Sequence, residues 1–562
     1  MQVDFGMSRA KLHDPGAQPQ NGKGIGGADP QCTGHRGPQQ PVCLPDACER
    51  IAQAINDFGP QNRGAKNAGL SVHQIPACGR LQILQAVTDC GGCYVQFPRS
   101  SRQGSVADNG FECAQGGHGR SIGNWSYPFT SGKNEVSQLS ISESRQRGHN
   151  LMMNIALDPE TTAATLKQGR HDLYRARQDH VRAGMRAQDV AVMVICDANH
   201  IRYMTGSSNM MLWGLRSPSR YLLAFADGPV ILYDSPGAAH LAAGLPTITE
   251  VRAAQGLDYI GSGGDIAAAA DRFADEILGV VLGVDPEIDR VHIDRLPWQA
   301  VDALRARGLH VADALEPLCL TRAIKLDIEL PYIQEAMRRV ETGVARLESK
   351  AEPGMSETET WAEFHYTLMA KEGQYVSTRL FQSGPNTYPY FQEAGGRLLE
   401  RGDLLCLDTD ALGFENYAVD FSRTFLCGEG KASDDQRLLY SRAREQLEHN
   451  AELLGPDVEF RALAEKAWVI PQEHQASRYY CIGHGLGLAG EWPNIPHHDP
   501  DGGEYPLDGM LKPGMIICLE SYIGWDRSHE GVKLEDQFLI TQNGAERMSN
   551  YPFDDRLQGR MI

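Results

Sequence analysis

Between Cys406 and Phe425 the chain reads CLDTDALGFENYAVDFSRTF, which sets Asp408, Asp410 and Asp420 among apolar residues. No other stretch restricts the fold as strongly. A carboxylate that must be buried needs a positive partner, because an unpaired buried charge is costly. LLCLDTDAL is predicted as a strand, since its apolar residues run on and it follows the turn Arg401-Gly402-Asp403. Alternate residues of a strand share a face, so Asp408 and Asp410 should point the same way. ALGFEN makes a turn and YAVDFSRTFLC a returning strand, so one hairpin can gather all three carboxylates. On this segment alone, a surface hairpin with solvated charges reads equally well.

Three further segments weigh against that surface reading. YYCIGHGLGLAGEWPNIPHHD places His484 between glycines after a strand-like run. LKPGMIICLESYIG puts Glu520 at the end of an apolar strand, and EGVKLEDQFLIT puts Glu535 inside another. Each alone would read as a satisfied core residue. Together, their mutual burial would cost several kcal/mol per charge without a cation. Two divalent metal ions would offset that cost. An oxygen-rich set with one imidazole suits Fe(II), Mn(II), Co(II) or Zn(II) rather than a thiolate site. Two such ions can polarise a substrate oxygen, activate a water or acidify a neighbouring C–H.

The rest of the chain supplies the setting. A formal net charge of -19 argues against a general nucleic-acid or membrane-surface binder. No apolar run approaches the ~20 residues of a membrane helix. The start MQVDFGMSRAKLHDPG has no apolar core of a secretory signal, so the expected compartment is the cytoplasm. The cysteines are mostly single and irregularly spaced, as in reduced, buried positions. Cys90-Gly-Gly-Cys93 is one CxxC without a matching second, a weak metal or redox signal.

Residues 1–150 are rich in Gly, Gln, Ser, Pro and Arg without sustained periodicity. They are expected to be a disordered extension or a wrongly extended reading frame, with Met152 or Met153 as the natural start. Residues 161–321 alternate helix and strand, as in an α/β domain. LKQGRHDLYRARQDHVRAGM is a helix, VAVMVICD a buried strand, and YLLAFADGPVILYD two strands around an Asp-Gly turn. GSGGD at 261–265 is a loop before a helix rather than a phosphate cradle. Residues 322–556 read as α+β. Ile333, Met337, Val340, Val344 and Leu347 share one helical face. Ser356 with Glu359, and Ser433 with Gln436, form capping boxes for two more helices.

The order Asp408, Asp420, His484, Glu520, Glu535, within DFSRTF, HGLG, LKPGM and KLEDQFLIT, resembles the pita-bread family. That family contains methionine aminopeptidase, aminopeptidase P, prolidase and creatinase. The resemblance implies a creatinase/prolidase-like α/β domain followed by an α+β pita-bread catalytic domain, a homodimer, and those five residues as metal ligands. Within the family the chain is similar to the DddP-type dimethylsulfoniopropionate lyases, through LDTD, TRLFQSGPNTYPYFQE, IRYMTGSSNMMLWG, GEWP and KLEDQFLI. In that group Asp410 would be a sixth ligand.

The departures bear on the reaction. The peptidases have a histidine after the Gly-x-Asn segment, where this chain reads GPNTYPYFQEA, and an arginine where it has Lys533. The aromatics Tyr388, Tyr390 and Phe391, joined by Trp213 and Trp492, could form a pocket for the cationic headgroup of a small substrate. They could equally be packing residues. The similar lyases carry their base aspartate six residues after the ligand histidine, and here that residue is Gly490. Three readings follow. One is a lyase of a small onium carboxylate, with the neighbouring Glu491 or an activated water as base. A second is a metallohydrolase of Xaa-Pro peptides. The third is a metal-binding pseudoenzyme.

Overall fold

The computed structural model describes residues 159–499 and 505–558. The expectations for residues 1–150, for Cys90 and Cys93 and for a start at Met152 or Met153 lie outside them. The first described element is the helix Pro159–Ala187. A six-stranded sheet follows, built from β1 (Val192–Ile195), β2 (Tyr221–Phe225), β3 (Val230–Asp234), β4 (Glu250–Ala253), β5 (Arg290–Ile293) and β6 (His310–Asp313), in the order β4-β3-β2-β1-β5-β6. β1, β2 and β3 form an antiparallel meander whose second turn is Asp227-Gly228. β4, β5 and β6 join in parallel. The GSGGD loop ends at Asp265, whose carboxylate accepts from the Ala268 N–H and caps the helix Ile266–Val284.

The helix Leu330–Lys350 buries Ile333, Met337, Val340, Val344 and Leu347. These side chains share one apolar cluster with Leu166 and Leu173 of the first helix and with Val419 and Phe421 of the aspartate hairpin. Both capping boxes form, at Ser356 with Glu359 and at Ser433 with Gln436, and open the helices Glu357–Ala370 and Asp434–Glu452.

Three sheets carry the rest. β7 (Tyr375–Val376), β10 (Ala411–Leu412) and β11 (Ala418–Val419) form one. β8 (Phe381–Ser383), β9 (Leu404–Asp408) and β12 (Ser422–Leu426) form a second. The third has the order β14-β13-β15-β16-β17, with β13 (Cys481–Leu486), β14 (Gly490–Pro496), β15 (Ile516–Trp525), β16 (Glu530–Thr541) and β17 (Gly544–Arg547).

The hairpin departs from the expected continuous strands. β9 stops at Asp408, Asp410 turns to a positive φ of 37°, and pairing resumes in a different sheet at β10. The returning strand breaks at Asp420 and Phe421 between β11 and β12. Thr409 bridges the two breaks, accepting from the Phe421 N–H at 3.0 Å and donating to the Val419 carbonyl at 3.1 Å. A side-chain hydroxyl thus replaces ladder bonds that buried backbone cannot forgo. Strand alternation therefore does not orient Asp410; the bend does. Glu520 is also placed differently from expectation, in the middle of β15, directly across from Glu535 of β16. Among the described residues no helix is long and apolar enough to cross a membrane.

Candidate metal centre

Four buried carboxylates converge here: Asp408 and Asp420 from the hairpin, Glu520 and Glu535 from the facing strands. β13 brings His484 beside them. Its Nε2 lies 3.4 Å from Glu520 Oε1, 3.8 Å from Glu535 Oε1 and 3.9 Å from Asp420 Oδ2. Asp408, Asp420 and Glu535 offer oxygens within 4.8 Å of one another, and so do the donor atoms of His484, Cys518 and Glu535. Lys533 is fully buried at the back of the group, 3.2 Å from Asp408 Oδ2, 2.7 Å from Glu520 Oε2 and 2.9 Å from Glu535 Oε2.

The electrostatics show a site short of positive charge. Burial pushes the Asp420 and Glu535 carboxyls well above the ordinary range, and neighbouring carboxylates push them further. Burial acts upward on Asp408 too, but Lys533 and hydrogen bonds from Tyr390 and Ser422 hold it low. Burial would lower the His484 imidazole, but the hydrogen bond and charge of Glu520 carry it to about 9. Glu535 Oε1 is buried without a hydrogen-bond partner. With Asp410 on the adjoining wall, five carboxylates face one ammonium and one imidazole. Divalent ions among the oxygens beside His484 would supply the missing charge, and the donor set fits them.

The centre opens into a cavity of about 810 Å³ whose wall includes Asp408, Asp410, Asp420, His484, Gly490 and Glu491. Asp410 accepts a 2.5 Å hydrogen bond from the Thr378 hydroxyl. Burial, with the charge of Asp408, pushes its carboxyl up to about 6. Glu491 is not free. It ion-pairs with Arg322 and, at 3.0 Å, with Lys325, and accepts from the Leu488 N–H at 3.1 Å. Burial works upward on its carboxyl, but the two cations hold it below the usual value. A carboxylate clamped in this way is a poor proton acceptor. At Gly490, an added Cβ would meet nothing within 4 Å.

The aromatic residues divide. Tyr390 is next to the centre, donating to Asp408 Oδ2 at 2.6 Å, and Lys533 Nζ lies 5.5 Å from its ring centroid. Its ring therefore faces the protein's own cation. Phe391 stacks on Tyr390 and Tyr479 and is exposed. Tyr388 packs edge-on against His529. Trp492 packs against Phe460 in the second core cluster. Trp213 is 56% exposed, and its neighbours Leu212 and Arg216, rather than Trp213 itself, reach the cavity. The aromatic wall is instead Tyr375, Tyr479 and Tyr480. The paired tyrosines that open YYCIGHG were the available sequence signal, and the sequence reading passed over them.

Comparison with known proteins finds relatives of the whole described fold. Residues 331–542 match the metallopeptidase family M24. The dimethylsulfoniopropionate lyase DddP of Roseovarius nubinhibens is 34% identical over 381 residues, covering 66% of this chain and 84% of the relative. The Xaa-Pro dipeptidase of Pyrococcus furiosus is 29% identical over 232 residues, covering 41% of this chain and 63% of the relative. Among solved structures, the prolidase of Pyrococcus horikoshii OT3 superposes with a TM-score of 0.54 at 21% identity. That match covers 67% of this chain and 99% of the prolidase.

Proposed function

The chain belongs to metallopeptidase family M24, and from that premise we propose that it is a metal-dependent lyase. In this reading it cleaves dimethylsulfoniopropionate, or a closely related onium carboxylate, by β-elimination. The observation that carries the proposal is the DddP-like chain built around a convergent cradle of Asp408, Asp420, His484, Glu520 and Glu535. Those five residues would hold two divalent ions of iron, manganese, cobalt or zinc. Such ions, when bound, draw charge from a substrate carboxylate and stabilise the negative charge that develops next to it.

The chain's own residues supply the rest. Tyr375 and Tyr480 line the cavity and offer ring faces to the onium group, an attraction of ~1–2 kcal/mol once water is excluded. The base takes the proton on the carbon next to the carboxylate. That electron pair forms the carbon–carbon double bond, the C–S bond breaks, and dimethyl sulfide leaves acrylate behind. With Glu491 clamped, Asp410 is the base in this reading: its carboxylate is on the wall, and no described salt bridge engages it. The working protein is taken to be a cytoplasmic homodimer, with a creatinase/prolidase-like domain at 161–321 and the catalytic domain at 322–556.

A second reading, hydrolysis of Xaa-Pro dipeptides, draws on a cavity roomy enough for a dipeptide. The test is one purified, metal-analysed sample given dimethylsulfoniopropionate and an Xaa-Pro dipeptide side by side. Release of dimethyl sulfide supports the lyase; proline release without it supports the hydrolase. No turnover despite bound metal leaves a pseudoenzyme. Asp410→Asn separates its two possible roles. As base, its loss lowers elimination by ~10²–10⁴-fold with metal content intact; as sixth ligand, metal content falls too.

A further inference from the structure

We propose that Lys533 is the positioning residue of the cradle, holding back one oxygen on each of three carboxylates and leaving the site formed for metal. The inference rests on the metal reading above and goes beyond it by naming what shapes the site. Lys533 has no exposed surface, and its Nζ lies 3.2, 2.7 and 2.9 Å from Asp408 Oδ2, Glu520 Oε2 and Glu535 Oε2. The same ammonium donates to the Ser422 hydroxyl at 2.8 Å. The Tyr479 and Tyr390 rings lie beside it, 4.9 and 5.5 Å from Nζ. Its position is thus set by protein groups, before any ion arrives.

The oxygens of each glutamate divide between two sides. Glu520 turns Oε2 to Lys533 and Oε1 to His484. Glu535 turns Oε2 to Lys533, while its Oε1 is 3.8 Å from His484 Nε2 and has no hydrogen-bond partner. Asp408 gives Oδ2 to both Lys533 and Tyr390, and Oδ1 to Ser422. Glu520 and Glu535 face each other directly across β15 and β16, where like charges repel. Without the ammonium behind them they would splay, and the oxygens beside His484 would lose their spacing. The three N–H groups of the ammonium go to Asp408, Ser422 and Glu535, and Glu520 Oε2 meets its charge at 2.7 Å; a planar guanidinium would present its donors in a fixed fork instead.

The test uses the full chain and Co(II) as the probe, read by chelator competition and by the visible spectrum of the bound ion. Lys533→Met should weaken Co(II) binding by ~10–100-fold and shift the spectrum, as loss of an outer-shell partner does. Lys533→Arg should fold but not restore the wild-type spectrum. A folded Lys533→Met protein with wild-type affinity and spectrum overturns the proposal. Wild-type protein that takes up no Co(II) overturns the metal reading itself, a distinguishable result. Should Lys533→Met fail to fold, Ser422→Ala removes the hydroxyl that Lys533 grips and that touches Asp408 and Glu535. It should weaken Co(II) binding several-fold, and unchanged binding overturns the proposal equally.

Discussion

Two groups of buried acids lie on one cavity and are balanced in opposite ways. In the cradle, Asp408, Glu520 and Glu535 share the single ammonium of Lys533. In the clamp, the single carboxylate of Glu491 is shared by Arg322 and Lys325. Both are deep in the protein, and both carry glutamates that a reader of the sequence would pick out. The cradle has too few positive charges and so has use for metal ions. The clamp already has a surplus, so its glutamate ties the helix Leu315–Ala323 and the segment after it to β14. Burial alone does not mark a functional acid; the count of opposite charges around it does.

The largest expected effect comes from placing an unclamped acid one residue from the clamped one. Position 490 has open space for a side chain. In Asp410→Asn protein, which lacks its base, Gly490→Asp should restore dimethyl sulfide release by ~10²–10⁴-fold, the usual contribution of a well-placed base. A gas-chromatographic headspace assay reads it, and an unchanged rate would mean that 490 does not reach the substrate.

Next is Glu491→Gln, which leaves two cations buried against a neutral amide. It should cost about 3–5 kcal/mol in denaturant unfolding while metal content stays at the wild-type value. Loss of turnover in the folded variant, without loss of stability, would reverse the contrast and make Glu491 the base.

Metal addition should act on the cradle alone. At 100 times Kd, a divalent ion should stabilise the protein by about 2.7 kcal/mol, by the same amount in wild type and in Glu491→Gln. Asp420→Ala should abolish that gain, as differential scanning fluorimetry would show.

The smallest effect concerns pH. The Glu491 carboxyl is held below its ordinary value of 4.5. Its ion pairing therefore adds stability above that pH, and the gain fades as acid titrates the folded carboxylate. The stability gap between wild type and Glu491→Gln should narrow only below about pH 4.5. A gap that closes near neutrality would mean that other groups dominate.

The cradle was legible because carboxylates and a histidine stand out in apolar strands, and spacing along a strand survives folding. Its fine geometry was not legible. The hairpin bends at Asp410 and Asp420 depend on the Thr409 hydroxyl bridging two breaks, and alternation alone predicts straight strands. The clamp was hidden for a different reason. Arg322 and Lys325 lie 169 and 166 residues before Glu491 and look like ordinary charges at a helix end. Lys533 stood out as a substitution and shares a strand face with Glu535, but Asp408 and Glu520 reach it from two other strands, which no local pattern connects. Of the expected aromatic pocket, Tyr390 and Trp492 have partners inside the protein, which their sequence positions did not reveal.

The direct pairing of Glu520 with Glu535 and of Tyr522 with Lys533 has a bearing on assembly as well as chemistry. A slip of one residue along β15 and β16 would turn Glu535 and Lys533 to the opposite face together. Asp408 and Glu520 would then be buried without their ammonium, and the misaligned sheet would be penalised by charge rather than by shape. The residues that prepare the site for metal thereby also act as a key for strand alignment.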